Sequence, residues 1–313
     1  MIAFGPIPSR RLGLSLGINN IVSQKNCSFS CVYCQVGKTK NTSIKRDEFY
    51  QPEKLIENIK NHLSKLDSKY SPDYLTFVAN GEPTLDINLG VEICRLKEAF
   101  NIPVAVITNS SLIGTEAVRN ELMNADWVSL KVDSVEPLTW KQINQAHPDI
   151  ELGKVLNGIK LFAHQYKGHL HTETMLVEGI NDHLANIEAT SDFIAQLNVE
   201  TAYLSIPTRP PAEKKVKAPG TEIITQAWQI FQEKGIHTEM LIGFEGTNTG
   251  FTGNAYDDIL NITAVHPLRD DTLNELLEKE NAGMDVVESL MIQRYIKKIN
   301  YKGHDYYTRN HHL

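Results

Sequence analysis

The chain has 313 residues, of which 41% are hydrophobic and 22% are charged, and its formal net charge is -7. This composition excludes an intrinsically disordered chain and argues against a general polyanion binder. The sequence has no apolar run long enough to span a bilayer, no signal-peptide core at its start, and four cysteines that do not make a disulfide framework. We therefore expect a cytoplasmic protein with no membrane partner.

Short β-type segments alternate with longer amphipathic segments from residue 14 to about residue 242. The β-type segments are LSLGINNI, YLTFVAN, VAVITN, WVSLKV, HLHTETMLVEG, TAYLSI and TEMLIGF. Between them, QPEKLIENIKNHLSKL places Leu55, Ile56, Ile59 and Leu63 at helical spacing. This βαβ rhythm predicts a parallel sheet, and its six or seven units are too few for a closed eight-unit barrel. We predict an α/β fold built as a partial (βα)6-type TIM barrel.

A linker rich in Gly, Thr and Asn, GFEGTNTGFTGN, follows at residues 243–254. After it, LRDDTLNELLEKEN and MDVVESLMIQ predict two short helices, and RYIKKINYKGHDYYTR predicts two strands around a turn at Lys302 and Gly303. Two helices followed by a β-ribbon are typical of a winged helix. We therefore expect a barrel domain over residues 1–245 and a winged-helix-like domain over residues 255–313.

The predicted ribbon is basic and aromatic. Between residues 294 and 309 the charged side chains are Arg294, Lys297, Lys298, Lys302 and Arg309 against Asp305, a net of 5 - 1 = +4. The tyrosines interleaved with them are Tyr295, Tyr301, Tyr306 and Tyr307. Such a ribbon suits contact with a nucleic-acid backbone and its bases, and a winged helix equally suits binding of a peptide or of another domain.

Three of the four cysteines lie in the segment CSFSCVYC, as Cys27, Cys31 and Cys34. A structural zinc site needs four ligands, but neither a second C-x-x-C nor a His pair at finger spacing follows. A redox pair would leave the third thiol unexplained. Three thiolates are what a [4Fe-4S] cluster needs if its fourth iron is to stay open to something other than protein.

The fourth cysteine, Cys94, lies in the segment LGVEICRLKEAF. The helical spacing places it on the apolar side of a helix with Val91, Leu96 and Phe100. We therefore predict that Cys94 is a small core residue.

The C-x3-C-x2-C spacing, with Tyr33 before the last cysteine and the motif just after the first predicted strand, resembles the radical S-adenosylmethionine (SAM) superfamily over about residues 10–245. The resemblance implies that Cys27, Cys31 and Cys34 each ligate one iron of a [4Fe-4S] cluster and that SAM chelates the fourth iron. It also implies that an electron from a reductant such as flavodoxin or ferredoxin cleaves SAM to a 5'-deoxyadenosyl radical, which takes a hydrogen atom from a substrate.

Two further segments carry the same resemblance. NGEPTL ends the second predicted strand, where the superfamily has a Gly-Glu segment that receives the SAM amino group, although NGEP alone is also a good turn. Gly81 allows close backbone approach, and Glu82 accepts hydrogen bonds from an ammonium group. VITNSSL ends the third strand and resembles the Thr-Asn segment of the superfamily. With Arg209 of SIPTRPP, the cofactor-binding candidates are Tyr33, Gly81, Glu82, Pro83, Thr84, Thr108, Asn109 and Arg209.

The fourth predicted strand alternates between apolar and polar residues. The face that we expect to pack on helices has Val128, Leu130 and Val132. The opposite face, with Ser129, Lys131 and Asp133, therefore points into the barrel. The same alternation brings inward His171, Glu173 and Met175 of the fifth strand and Tyr203 and Ser205 of the sixth.

Buried charges in a barrel interior need partners or a ligand. The catalytic candidates are therefore Lys131, Asp133, Glu173 and Tyr203. Lys131 and Arg209 suit the SAM carboxylate or an anionic substrate. The alternative is that Lys131 pairs with Asp133 or Glu173 and has no other partner.

The opening FGPIPSRRLGLSLGIN resembles a radical SAM subgroup named by analogy with tRNA wyosine synthases. Those synthases carry additional N-terminal cysteines for a second cluster, whereas here only Cys94 is left. We expect a radical SAM enzyme with a single cluster and with RNA as a candidate substrate. The alternatives are an iron-sulfur regulator that binds nucleic acid through its winged helix, and a zinc protein.

Overall fold

The computed structural model describes residues 2–21 and 24–310. The predicted domain ranges also contain residues 1, 22–23 and 311–313, which lie outside the described residues. Within the described ranges no helix is long and apolar enough to cross a membrane.

A curled half-barrel sheet forms the larger part of the fold. Its strands, in spatial and chain order, are β1 (Ala3–Ser9), β2 (Gly13–Ile18), β3 (Tyr74–Phe77), β4 (Val104–Thr108), β5 (Trp127–Lys131), β6 (His169–Met175), β7 (Thr201–Ser205) and β8 (Thr238–Leu241). β1 is antiparallel to β2, and from β2 to β8 each strand is parallel to the next. The prediction of a partial TIM barrel is confirmed.

Helices cover the outer face of this sheet. They are α1 (Pro52–Leu63), α2 (Leu89–Ala99), α3 (Glu116–Leu122), α5 (Leu152–Gln165), α6 (Leu184–Ile194) and α7 (Thr221–Glu233). α4 (Pro137–Asn144), which precedes α5 in the chain, instead packs on Phe29 and Val32. Val128, Leu130 and Val132 of β5 are buried in the cluster that packs the outer helices on the sheet, as the alternation predicts. The opposite face of β5 is therefore the interior of the half-barrel.

β1 was not predicted from the sequence. Gly5, Pro6 and Pro8 interrupt its apolar residues, and proline is normally excluded from the interior of a sheet. The structure accommodates these prolines because β1 is an edge strand that pairs only with β2 among the described strands.

The prediction for Cys94 is wrong, because this residue is exposed. The buried stripe of α2 consists of Leu89, Ile93 and Leu96, at spacings of four and three residues. Cys94 follows Ile93 by one position, about 100° around the helix, so it projects away from the core. Val91 is likewise exposed.

Residues 255–310 form what we call the C-terminal unit. Its elements are α8 (Ala255–Thr263), β9 (Leu268–Arg269), α9 (Asp270–Lys279), α10 (Met284–Ile292), β10 (Ile296–Tyr301) and β11 (His304–Arg309), with sheet order β10-β11-β9. The two predicted helices and the hairpin around Lys302 and Gly303 are present, whereas α8 and β9 were not predicted. The winged-helix assignment stays a prediction.

The C-terminal unit shares a hydrophobic cluster with the half-barrel. Phe4 of β1 is buried in this cluster with Ile259, Leu273 and Leu290. Phe4 pairs with Gly17, and a Cβ on Gly17 would lie only 2.0 Å from the Phe4 ring. The absence of a side chain at Gly17 therefore provides the space that Phe4 needs to join the two parts.

The tip of the β10–β11 hairpin also contacts the loop that follows β7. The Tyr301 hydroxyl and the Lys302 ammonium donate hydrogen bonds to the Pro207 carbonyl, at 3.1 and 3.0 Å. The Tyr306 hydroxyl donates to the Thr208 carbonyl at 3.3 Å. These ribbon side chains hold the C-terminal unit against the rim of the barrel.

We expect Phe4→Ala to lower the free energy of unfolding by about 3–5 kcal/mol, because it opens a cavity in the shared cluster. The same variant should become sensitive to proteolysis in the linker at residues 243–254. Urea unfolding and limited proteolysis measure the two effects. Leu138→Ala is the control, since Leu138 is 84% exposed. Equal stability of the two variants would contradict the packing role of Phe4.

Candidate active site

The three clustered cysteines lie in a long loop between β2 and α1, which we call the cysteine loop (residues 24–51). Main-chain hydrogen bonds fix this loop to the end of α4, from Ser30 N to the Asn144 carbonyl at 3.1 Å and from Val32 N to the Ile143 carbonyl at 3.0 Å. The Phe29 ring packs edge-on against Trp140, with ring centroids 5.6 Å apart. The loop is thus held by tertiary contacts, although most of it has no regular secondary structure.

Each cysteine sulfur accepts a hydrogen bond from a side-chain nitrogen. Asn109 Nδ2 lies 3.5 Å from the sulfur of Cys27, and Asn144 Nδ2 lies 3.5 Å from that of Cys31. Lys25 Nζ lies 3.2 Å from the sulfur of Cys34. Such donors stabilise thiolates, and around a cluster they tune its reduction potential.

Burial opposes ionisation of two of these thiols. It raises the pKa of Cys27 to about 12 and that of Cys31 to about 11, in spite of the hydrogen bonds to the sulfurs. A thiolate is the form that ligates a metal. The two thiols therefore need a positively charged partner, such as bound iron, to stay ionised near neutral pH.

Among the described residues, no three His, Cys, Asp or Glu side chains lie close enough together to hold a single metal ion. Cys27, Cys31 and Cys34 all line one cavity, and three thiolates with one open iron are the ligand set that a [4Fe-4S] cluster with an outside ligand requires. The donor set of three cysteines around one cavity therefore suits a [4Fe-4S] cluster.

The NGEP turn touches the cysteine loop directly. Glu82 N donates a hydrogen bond to the Asn26 carbonyl at 3.1 Å. A Cβ built on Gly81 would lie 1.7 Å from the same Asn26 oxygen, so only glycine permits this approach. The residue that follows Asn26 is Cys27, and Gly81 therefore sets how closely the turn approaches the first cysteine.

The Glu82 carboxylate ties the ends of two neighbouring strands together. Its Oε1 accepts from the Thr84 hydroxyl at 2.7 Å and from the Thr108 hydroxyl at 2.6 Å, and its Oε2 accepts from Asn109 N at 2.7 Å. Burial raises the pKa of Glu82, although these hydrogen bonds act in the opposite direction. The carboxylate thereby positions Asn109, which contacts Cys27.

Three charged side chains meet inside the half-barrel. Lys131 Nζ lies 2.7 Å from Glu173 Oε1, and Arg11 pairs with Glu173 Oε2. Burial alone would raise the pKa of Glu173, but the charges of Lys131 and Arg11 hold it well below its usual range. Ser205 donates to the same carboxylate at 2.9 Å. The Lys131 ammonium also lies 4.0 Å from Asp133 Oδ1, so the two cations face two carboxylates.

Asp133 is fully enclosed by protein contacts. It accepts hydrogen bonds from the Tyr33 hydroxyl, from Asn144 Nδ2 at 2.7 Å and from Met175 N at 2.9 Å. Lys131 Nζ stands 4.0 Å away. Asp133 does not line the central cavity, and it joins the cysteine loop, α4 and β6 to one another.

Tyr203 lies in the floor of the half-barrel, below the charged group. His171 stacks on Trp127 with ring centroids 4.6 Å apart and lies 5.7 Å from the Tyr203 ring. Burial lowers the pKa of His171 to about 4, so the ring is neutral near pH 7. These aromatic rings close the bottom of the site.

Arg209 occupies the opposite, open end. It donates to Gln35 Oε1 at 2.5 Å and pairs with Glu245, whose carboxylate lies 3.1 Å from His266 Nε2. Gln35 in turn donates to the Val265 carbonyl at 3.0 Å. Arg209 therefore links the cysteine loop to the C-terminal unit at the rim.

All these groups surround one central cavity of about 270 Å³. The predicted residues that line it are Cys27, Cys31, Tyr33, Cys34, Gly81, Glu82, Thr108, Asn109, Lys131, Glu173 and Arg209. Four other predicted site residues, Pro83, Thr84, Asp133 and Tyr203, do not line it but lie in the structure around it.

Several residues of the site escaped the sequence analysis. Lys25 and Gln35 line the cavity, and Asn144 reaches a cysteine from the end of α4. Lys25 and Gln35 lie within two residues of the cysteine motif, and this proximity could have identified them from the sequence. Asn144 is 110 residues downstream of Cys34, and no sequence spacing relates them.

The family model of the radical SAM superfamily matches residues 21–194. The UPF0026 protein MJ1312 of Methanocaldococcus jannaschii is 48% identical over 311 residues, which cover 99% of this chain and 96% of that protein.

Two solved structures share the fold. TYW1 with a lysine-pyruvate adduct bound has a TM-score of 0.55 at 16% identity, over 71% of this chain and 75% of that chain. Streptococcus suis SuiB bound to S-adenosylmethionine has a TM-score of 0.53 at 10% identity, over 72% of this chain and 49% of that chain. At these identities the likeness extends to the fold alone.

We expect Gly81→Ala to destabilise the protein by about 1–3 kcal/mol, because the new methyl group overlaps the main chain of Asn26. Displacement of the cysteine loop should also reduce the iron bound per chain after anaerobic reconstitution. Gly153→Ala is the matched control, since a Cβ there meets nothing within 4 Å. If Gly81→Ala bound as much iron as Gly153→Ala and were equally stable, the close approach would not matter.

Proposed function

The chain belongs to the radical SAM superfamily of enzymes, whose cofactors are a [4Fe-4S] cluster and SAM. From this premise we propose that it cleaves SAM reductively and removes a hydrogen atom from a substrate held in the central cavity. When bound, the reduced cluster supplies the electron that splits SAM into methionine and a 5'-deoxyadenosyl radical. The remaining tasks belong to the protein: to bind, to orient and to exclude water.

Cys27, Cys31 and Cys34 are the proposed ligands of three irons, which leaves the fourth iron for the amino and carboxylate groups of SAM. The observation that carries this assignment is the arrangement of three sulfurs, each with its own nitrogen donor, around a single cavity. Lys25, Asn109 and Asn144 would then serve as donors to the cluster sulfurs.

The cofactor-binding proposal centres on the NGEP turn. Glu82 already accepts four hydrogen bonds from protein groups, so its main part is to hold the turn and Asn109 in place. The main-chain carbonyl of Gly81, which lines the cavity, would accept a hydrogen bond from the SAM ammonium. Pro83 and Thr84 shape the turn, Thr108 anchors Glu82, and Tyr33 and Arg209 would complete the wall of the SAM site.

Lys131 and Glu173 are the proposed substrate contacts. They line the cavity beside Arg11, and their charged groups would hydrogen-bond a strongly polar substrate group. Asp133 and Tyr203 lie outside the cavity lining and act as positioning residues in this proposal. Asp133 would orient Tyr33, and Tyr203 would support the aromatic floor.

The wider assignments follow from the same premise. We propose residues 1–245 as the catalytic domain and residues 255–313 as a second, winged-helix-like domain. A one-electron donor such as flavodoxin or ferredoxin would reduce the cluster, and free cysteines favour a reducing compartment such as the cytoplasm. RNA is the candidate substrate.

Comparison of Cys31→Ala with Cys94→Ala tests the proposal. Cys94 is exposed and remote from the cavity, so its replacement controls for the loss of one thiol. After anaerobic reconstitution we expect Cys31→Ala to lose the intact cluster and the release of 5'-deoxyadenosine from SAM with dithionite. Cys94→Ala should match the wild type. Undiminished cleavage by Cys31→Ala would refute the proposal, and no cleavage by the wild type would favour the regulator alternative.

A further inference from the structure

A second and larger opening of about 660 Å³ lies between the half-barrel and the C-terminal unit. We propose that this cleft binds the phosphodiester backbone of a single nucleic-acid strand and directs one nucleotide of it into the central cavity. The inference deepens the proposed function, on which it rests, by naming the substrate class.

The cleft is lined by basic side chains from both of its walls. Lys38 and Lys214 come from the barrel side, and Lys297 and Arg309 come from the hairpin. Across the part of the chain that the structure describes, no acidic side chain lines it. In a protein of net charge -7, such a local excess of positive charge is the feature that a polyanion would recognise.

These cations are available to a ligand to different degrees. Lys214 and Lys297 are exposed, whereas Lys38 lies 3.3 Å from the Glu213 carboxylate beside the cleft. Arg309 stacks on the Tyr295 ring, with its guanidinium carbon 5.3 Å from the ring centre. Within the described residues, the buried Nη1 of Arg309 has no hydrogen-bond acceptor. Arg309 lines the cleft, so a phosphate group held there would lie beside a guanidinium, for which anionic acceptors are the strongest partners.

The cleft adjoins the central cavity. Gln35, Val36 and Val265 line both spaces. A chain of phosphates held in the cleft would therefore place an adjoining nucleotide towards Lys131 and Glu173. Enzymes that modify a base must take it out of the stack, which requires a backbone groove next to a separate pocket.

The remaining lining favours a nucleic acid over an acidic peptide. Pro210, Pro211, Ile299 and Tyr301 add flat apolar surface among the cations. Proteins that bind single strands combine a basic groove with such surfaces, on which bases stack. On the ribbon, the polar groups of Tyr301, Lys302 and Tyr306 already donate hydrogen bonds to the barrel rim. We therefore assign the nucleic-acid contact of the ribbon to the side that faces the cleft.

The test is binding of a labelled single-stranded RNA of about twelve nucleotides, a length within the range of known single-strand sites, to the full chain at several salt concentrations. We expect Lys214→Gln/Lys297→Gln to weaken binding roughly tenfold near 0.15 M salt. The slope of log K against log salt should fall by ~1.4, since each lost phosphate contact contributes about 0.7. DNA of the same sequence and polyglutamate of the same charge are measured alongside.

The matched control is Lys54→Gln/Lys60→Gln, which removes two exposed charges from α1, away from the cleft. Tight RNA or DNA binding that falls only in the cleft variant supports the proposal, and the tighter strand identifies the source of the backbone. The proposal is overturned by equal losses in both variants, by no loss, or by polyglutamate binding as tightly as RNA. Release of 5'-deoxyadenosine in the absence of nucleic acid is measured separately. A lack of this release would contradict the proposed function, whereas the binding results above test only the cleft.

Discussion

The buried carboxylate of Glu82 is the interaction on which the geometry of the site depends. It joins the end of β3 to the end of β4 through Thr108 and Asn109, and its main-chain nitrogen holds Asn26, the residue before Cys27. A carboxylate that accepts several hydrogen bonds keeps both strand ends fixed. Without a side chain at Gly81, the turn that carries Glu82 can reach the cysteine loop. The position of the first cysteine is therefore set by the barrel, although the cysteine itself lies in a loop.

A second constraint is the cost of burying charge. Glu173 remains ionised inside the barrel because two cations face it, and Asp133 is surrounded by hydrogen-bond donors. Fully compensated groups such as Asp133 hold the structure together, and the cations Arg11 and Lys131 are compensated in turn by Glu173 and Asp133. The hairpin tip and the cleft differ in the charge that they offer to a ligand. The donors of the tip are occupied by the rim, whereas Lys214 and Lys297 of the cleft are exposed.

The sequence predicted what depends on local pattern. Uninterrupted β-type runs located β2 to β8, and cysteine spacing located the motif, but β1 was missed because its prolines obscure the strand. The alternation of apolar and polar residues correctly predicted that Lys131 and Glu173 point into the half-barrel. It identifies the face of the strand on which a side chain lies, but not how deep in the barrel that side chain is. Tyr203 was predicted as a catalytic candidate, but it lies in the floor of the half-barrel and does not line the cavity. Cys94 was misplaced because one step along a helix changes the face, and Asn144 was missed because only tertiary folding brings α4 to Cys31.

The central claim is that three cysteines hold a [4Fe-4S] cluster whose fourth iron is open to SAM. It is tested most directly by electron paramagnetic resonance of the anaerobically reconstituted, dithionite-reduced wild-type protein, recorded without and with SAM. Direct chelation of the open iron by SAM changes the electronic environment of the cluster, so the account predicts a cluster signal whose g values shift on addition of SAM. A cluster signal that SAM leaves unchanged would contradict it.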